Sequence, residues 1–141
     1  LISSNLGEEY KPISKIASGG EMSRIMLAFK SIIANKDNIE TLIFDEIDTG
    51  ISGKTAQIVG NKIKKLSKDR QVIVISHLPQ IISLANCHFL IEKEIKNKKT
   101  ISKIKMLNQD ERVMELARLV GGINITDAAI NAAKEMLGVK H

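Results

Sequence analysis

The chain has 141 residues, 43% apolar and 26% charged with a net charge of +5, which is enough apolar material for a core and too much for a disordered chain. Tyr10 and three Phe are the only aromatics, which argues against a stacking platform for single-stranded nucleic acid, and a single cysteine, Cys87, excludes an internal disulfide framework and any Cys-based zinc cluster. With that cysteine usage a reducing, cytoplasmic setting is expected; no apolar run reaches the ~20 residues of a membrane span, and the first residues do not read as a signal peptide.

The chain opens on Leu1, not Met, and Leu1-Ile2-Ser3-Ser4 reads as the end of a strand already under way, so a piece of a longer protein is expected. Residues 5–20 read as a loop punctuated by Gly7, Pro12, Ser14, Ser18, Gly19 and Gly20. A helix follows, with Met22, Ile25, Met26, Phe29 and Ile33 on one apolar face, Ser18 as its cap, Glu21 in its first turn and an end at 35–38. The apolar run 41–44 stops at Asp45-Glu46 and reads as a buried parallel strand. A glycine-containing loop, 47–53, leads to a second helix with Ala56, Val59, Ile63 and Leu66 inward and Lys62, Lys64, Lys65 and Lys68 outward. Residues 71–76 form another buried strand, followed by His77 and a short helix with Ile81, Ile82 and Ala85. Residues 88–94 and 100–107 read as a hairpin, and two helices, 110–120 and 126–137, flank Gly121-Gly122. The alternation of helices with apolar strands gives an α/β fold with a parallel core and flanking helices.

Gly53-Lys54-Thr55 imitates the end of a phosphate loop. The full pattern needs glycine at position 48, which is Asp, and Asp45, Glu46 and Asp48 would repel a triphosphate. The chain therefore has no phosphate cradle of its own. Asp45-Glu46 places two carboxylates at the carboxyl edge of a parallel sheet, where α/β folds bind ligands. Asp45 suits Mg²⁺ and Glu46 suits the activation of a water, although a solvated turn explains the pair equally well. His77 lies 31 residues after Glu46, the length of one strand–helix–strand unit, and so reaches the same edge, where it can donate to a phosphate or orient water. Ser18-Gly19-Gly20-Glu21 at a helix start would let backbone N–H groups meet an anion; taken alone it is equally a serine cap on a glycine turn.

In this order the motifs resemble the C-terminal half of an ABC-type ATPase head. Ser18-Gly19-Gly20-Glu21 is similar to the signature motif, Phe44-Asp45-Glu46 to Walker B, Asp48-Thr49-Gly50-Ile51-Ser52 to the D-loop, and His77 to the switch histidine. Glu21 and the run Asp45-Glu46-Ile47-Asp48 point to the SMC-like branch. The stretches 15–28, 44–53 and Ser76-His77-Leu78-Pro79-Gln80-Ile81 resemble the RecN family of bacterial SMC-like DNA repair proteins, with a fainter likeness at 115–122. Ala17 and Ser52 depart from the leucine and aspartate common at those places, and no Walker A lobe or coiled coil is present.

The resemblance implies that Ser18, Gly19, Gly20 and Glu21 meet ATP held by a second copy of the head. It also implies that Asp45 supports Mg²⁺, Glu46 is the general base and His77 senses the γ-phosphate in its own head. Asp48, Gly50 and Ser52 would form the D-loop. The implied partners are the second head in an ATP-dependent homodimer, the Walker A lobe of the same protein, and DNA at double-strand breaks in the bacterial nucleoid; no membrane is implied. The chain alone is expected to be inactive. Rival readings are the head of another SMC-like or ABC ATPase, in chromosome condensation or transport, and a non-enzymatic nucleic-acid-binding module. The latter would rest on the lysines of 62–70 and 93–105, 17 Lys against 4 Arg overall, which a solvated surface also explains.

Overall fold

The computed structural model describes residues 18–33, 38–96 and 99–139, with the isolated positions 3, 7, 9 and 12 before them. The expected opening strand, most of the 5–20 loop and most of the 35–38 helix end lie outside the described residues. The chain divides into two compact units, Leu1–Leu78 and Pro79–His141.

The first unit runs α1 (Gly19–Ile33), β1 (Thr41–Phe44), α2 (Gly53–Leu66) and β2 (Gln71–Val74). β1 and β2 pair in parallel, from Thr41 opposite Gln71 to Phe44 opposite Val74. The Ile75 amide donates to the Phe44 carbonyl at 3.0 Å, so the ladder ends where the two acids begin. The parallel pair and its crossover helix bear out the α/β class.

β2 is shorter than the expected 71–76: its partner β1 ends at Phe44, and past Ile75 the His77 amide donates to the Asp48 carboxylate rather than to a strand carbonyl. Nor are the strands buried on both faces. Leu42 and Phe44 enter the core, while Ile43 is 66% exposed and Ile73 and Ile75 also face outward. Strand alternation sends successive side chains to opposite faces, and among the described residues one face of this pair is covered and the other is open.

α2 buries Ala56, Val59, Ile63 and Leu66 as its 3.6-residue period dictates, with its lysines exposed. α1 departs from expectation. Met26 and Phe29 of its apolar stripe are exposed, and Ile32 beside them is 82% exposed. The packed stripe is Gly20, Ser23, Arg24 and Leu27, which keeps the i, i+3, i+4, i+7 spacing but has polar side chains at its two central positions. Hydrogen bonds, not apolar contact, dock α1 on the loop after β1.

The second unit runs α3 (Pro79–Ile82), β3 (Phe89–Lys96), β4 (Lys99–Met106), α4 (Gln109–Gly121) and α5 (Asp127–Leu137). β3 and β4 form the expected antiparallel hairpin. α4 starts with a capping box, the Asn108 side chain accepting from the Glu111 amide while Glu111 accepts from the Asn108 amide, both at 2.9 Å. Val113, Leu116, Ala117, Ala129 and Ala133 make the core between α4 and α5, with Ile82 packed against it. Val120, expected inward, is exposed near the end of α4. Among the described residues no helix is long and apolar enough to cross a membrane.

Candidate functional site

The carboxyl ends of β1 and β2 lie side by side, so the segment from Asp45 and the segment from Ile75 leave the sheet together. Open α/β sheets bind ligands at this edge. Asp45 and Glu46 are exposed here. Glu46 has φ of 55°, the left-handed region that a non-glycine residue enters at a cost, and such strain concentrates at functional positions. The turn closes with the Thr49 amide donating to the Glu46 carbonyl at 3.1 Å.

α1 clamps this turn. The Ser23 hydroxyl donates to the Asp45 carbonyl at 2.7 Å, and Arg24 Nη1 donates to the carbonyls of Ile47 (3.1 Å) and Thr49 (2.7 Å). The two glycines at the helix start allow the approach. A Cβ on Gly20 would sit 2.8 Å from the Glu46 carbonyl oxygen and 2.9 Å from Cβ and the carbonyl oxygen of Thr49. A Cβ on Gly19 would sit 2.7 Å from Oε2 of Glu46. The glycine turn and the acid are therefore in contact within one chain.

Ser18 and Glu21 form a reciprocal cap: the Ser18 amide donates to Glu21 Oε2 at 2.9 Å, and the Glu21 amide donates to the Ser18 hydroxyl at 3.3 Å. The Ser18 amide, then its hydroxyl, hold the Glu21 carboxyl below the usual carboxylate range, with Arg24 adding to the effect. The cap fixes the helix start and leaves Ser18 and Gly19 exposed.

Asp48 is the one buried charged or polar residue among those described, 3% exposed. Its Oδ2 accepts from the Ser76 hydroxyl at 2.6 Å and from the His77 amide at 2.7 Å, and lies 3.0 Å from His77 Nδ1. Burial pushes its carboxyl up, but the Ser76 hydroxyl, the His77 amide and the His77 ring together outweigh burial and hold it below its ordinary value. The His77 side chain is itself 71% exposed. Gly50 and Ser52 are also exposed. Ser52 precedes α2 without a side-chain cap, its carbonyl accepting from the Thr55 amide at 3.1 Å.

The structure thus brings together Ser18–Glu21, Asp45, Glu46, Asp48 and His77, while Gly50 and Ser52 join through the backbone alone. Sequence reasoning missed Ser23, Arg24 and Ser76. Ser23 and Arg24 follow the glycines at helical spacing, and Ser76 is the polar residue that ends an apolar strand; those were the available signals. Among the described residues no group of three His, Cys, Asp or Glu can cage a metal. The exposed Asp45 carboxylate fits a Mg²⁺ that takes few protein ligands and completes its shell with phosphates and water.

The DNA repair protein RecN of Bacillus subtilis is 47% identical over 137 residues, 97% of this chain and 24% of that protein. RecN of Haemophilus influenzae is 49% identical over 138 residues and RecN of Rickettsia prowazekii 50% over 135. The chain is homologous to RecN. It spans about a quarter of the length of these curated relatives. No family model matches. A chain solved in work on the structural biochemistry of ATP-driven dimerization and DNA-stimulated activation of SMC ATPases superposes with a TM-score of 0.54 at 25% identity, over 84% of this chain and 70% of that one. The α/β fold and the RecN resemblance read from the motifs both stand.

Proposed function

We propose that the chain is the C-terminal part of an ABC-type head in a RecN-like DNA repair ATPase that acts at double-strand breaks in the nucleoid. The observation that carries this reading is the meeting of the glycine turn, the strand-end acids and the strand-end histidine at one sheet edge. The chain's residues 1–141 supply the signature, Walker B, D-loop and switch elements, and the Walker A lobe of the same protein supplies the phosphate cradle. Such a lobe would also cover the open sheet face that carries Ile43, Ile73 and Ile75.

In this reading Asp45 is the carboxylate that would hold Mg²⁺, and the ion, when bound, would supply neutralisation of the charge on the phosphates of ATP. Glu46, exposed at the turn after β1, takes the proton of the attacking water. His77 faces the terminal phosphate from the neighbouring strand end. Ser18, Gly19 and Gly20 offer hydroxyl and backbone N–H groups at the α1 N-terminus to the ATP of a second head, with Glu21 holding the turn in shape. Asp48, Gly50 and Ser52 lie on the loop that faces that second copy. ATP-dependent pairing of two heads then opens and closes the molecule around DNA. Joining the chain to a Walker A lobe tests the reading. ATP turnover that needs both parts supports it, and turnover indifferent to this chain's acids overturns it.

A further inference from the structure

We infer that Asp48 is a positioning residue: its buried carboxylate fixes the Nδ1 proton and the ring orientation of His77, so that Nε2 is the nitrogen offered at the ends of β1 and β2. The inference rests on the reading of His77 as the group that meets the terminal phosphate, and it gives Asp48 a role within its own head, distinct from a D-loop contact to a second copy.

A carboxylate only accepts, so a histidine nitrogen 3.0 Å from Asp48 Oδ2 must carry the proton. The other nitrogen is then free of that choice and takes whichever role the site requires, acceptor when neutral and donor when protonated. The same oxygen accepts from the His77 amide and the Ser76 hydroxyl, so backbone and ring are tied to one point. An exposed imidazole without such a tie samples several rotamers, and ordering it later costs free energy.

Asp48 is itself fixed. The carbonyls on either side of it, those of Ile47 and Thr49, both accept from Arg24 Nη1, and Ile47 beside it is fully buried. A buried carboxylate is costly unless its oxygens are satisfied, and here three donors meet one oxygen, two of them from the residue it positions. A turn that served only to reach α2 would not need a charge in this place. Position 48 is also where a phosphate loop would require glycine, so the same side chain that excludes a cradle here organises the opposite strand end.

Two measurements test this. Side-chain ¹⁵N NMR of the chain reads the His77 tautomer without reference to ATP: neutral His77 should carry its proton on Nδ1, and Asp48→Ala should move it to Nε2. If the alanine variant does not fold, Asp48→Asn is used, with loss of the fixed Nδ1 proton expected. In the assembled head, Asp48→Ala should lower ATP turnover about 10- to 100-fold, the usual cost of losing a group that orients a site residue. In a His77→Ala background the same change should cost less than about twofold, since residues that act as one unit are not additive. A wild-type ring protonated at Nε2, or losses that multiply, overturns the inference. Full turnover by His77→Ala with the Nδ1 proton in place overturns instead the reading of His77 on which the inference rests.

Discussion

Replacing Gly20 by alanine sets two terms of opposite sign against each other. Alanine is the better helix former by about 1 kcal/mol in a helix interior, and less in a first turn. Against this, the new Cβ meets the carbonyl oxygens of Glu46 and Thr49 at 2.8 and 2.9 Å. Neither oxygen can yield freely: the first accepts from the Thr49 amide and the second from Arg24. Overpacking of this kind costs about 1–3 kcal/mol, so the net loss should be about 1–2 kcal/mol. For a unit of this size that lowers Tm by roughly 4–16 °C. Gly19→Ala is the internal control. Its Cβ meets only the end of the Glu46 side chain, which can swing away, so stability should change by less than about 0.5 kcal/mol. Urea unfolding of the three proteins reads both numbers. Gly20→Ala as stable as the parent, or Gly19→Ala equally destabilised, would refute the packing argument.

Ser18→Arg should leave the fold and nucleotide binding by the assembled head intact and abolish ATP-dependent pairing of heads; unchanged dimerisation in sedimentation with ATP would reduce the glycine turn to a helix cap. Calorimetry of Mg-ATP into the chain alone should show at most millimolar affinity, about −4 kcal/mol, and a micromolar constant lost on Lys54→Ala would show that Gly53-Lys54-Thr55 is a working phosphate loop. Because the folded Asp48 carboxyl titrates below its unfolded value, its stabilisation is complete above about pH 4 and fades as pH falls through the folded value. Glu21 and Glu111 titrate low as well, so the quantity to measure is the difference between the acid-unfolding curves of the parent and Asp48→Asn, and superimposable curves would contradict the assignment.

The elements most legible in the sequence were those with a single period. The apolar run before Asp45 and the stripe Ala56, Val59, Ile63 and Leu66 each gave one element; the helix buries its stripe as read, and the strand forms where read but buries only Leu42 and Phe44. Helix α1 carries two stripes at the same spacing. The apolar one drew the expectation, while the polar one docks, because Ser23 and Arg24 find carbonyls that exist only after the turn at Glu46 has folded. Local chemistry was likewise legible: Ser18 and Glu21, three residues apart, are a cap on paper and in space. The role of Asp48 was not, since its partners lie 28 and 29 residues away, just past the end of the next strand, and become neighbours only through the parallel pairing of β1 and β2.

The most direct test of the central claim is ATP turnover by the head assembled from this chain and a Walker A lobe, measured with Glu46 intact and with Glu46→Gln. The account predicts that neither part hydrolyses ATP alone, that together they do, and that Glu46→Gln still binds ATP while turnover falls by about two orders of magnitude or more. Undiminished turnover with Glu46→Gln would contradict it.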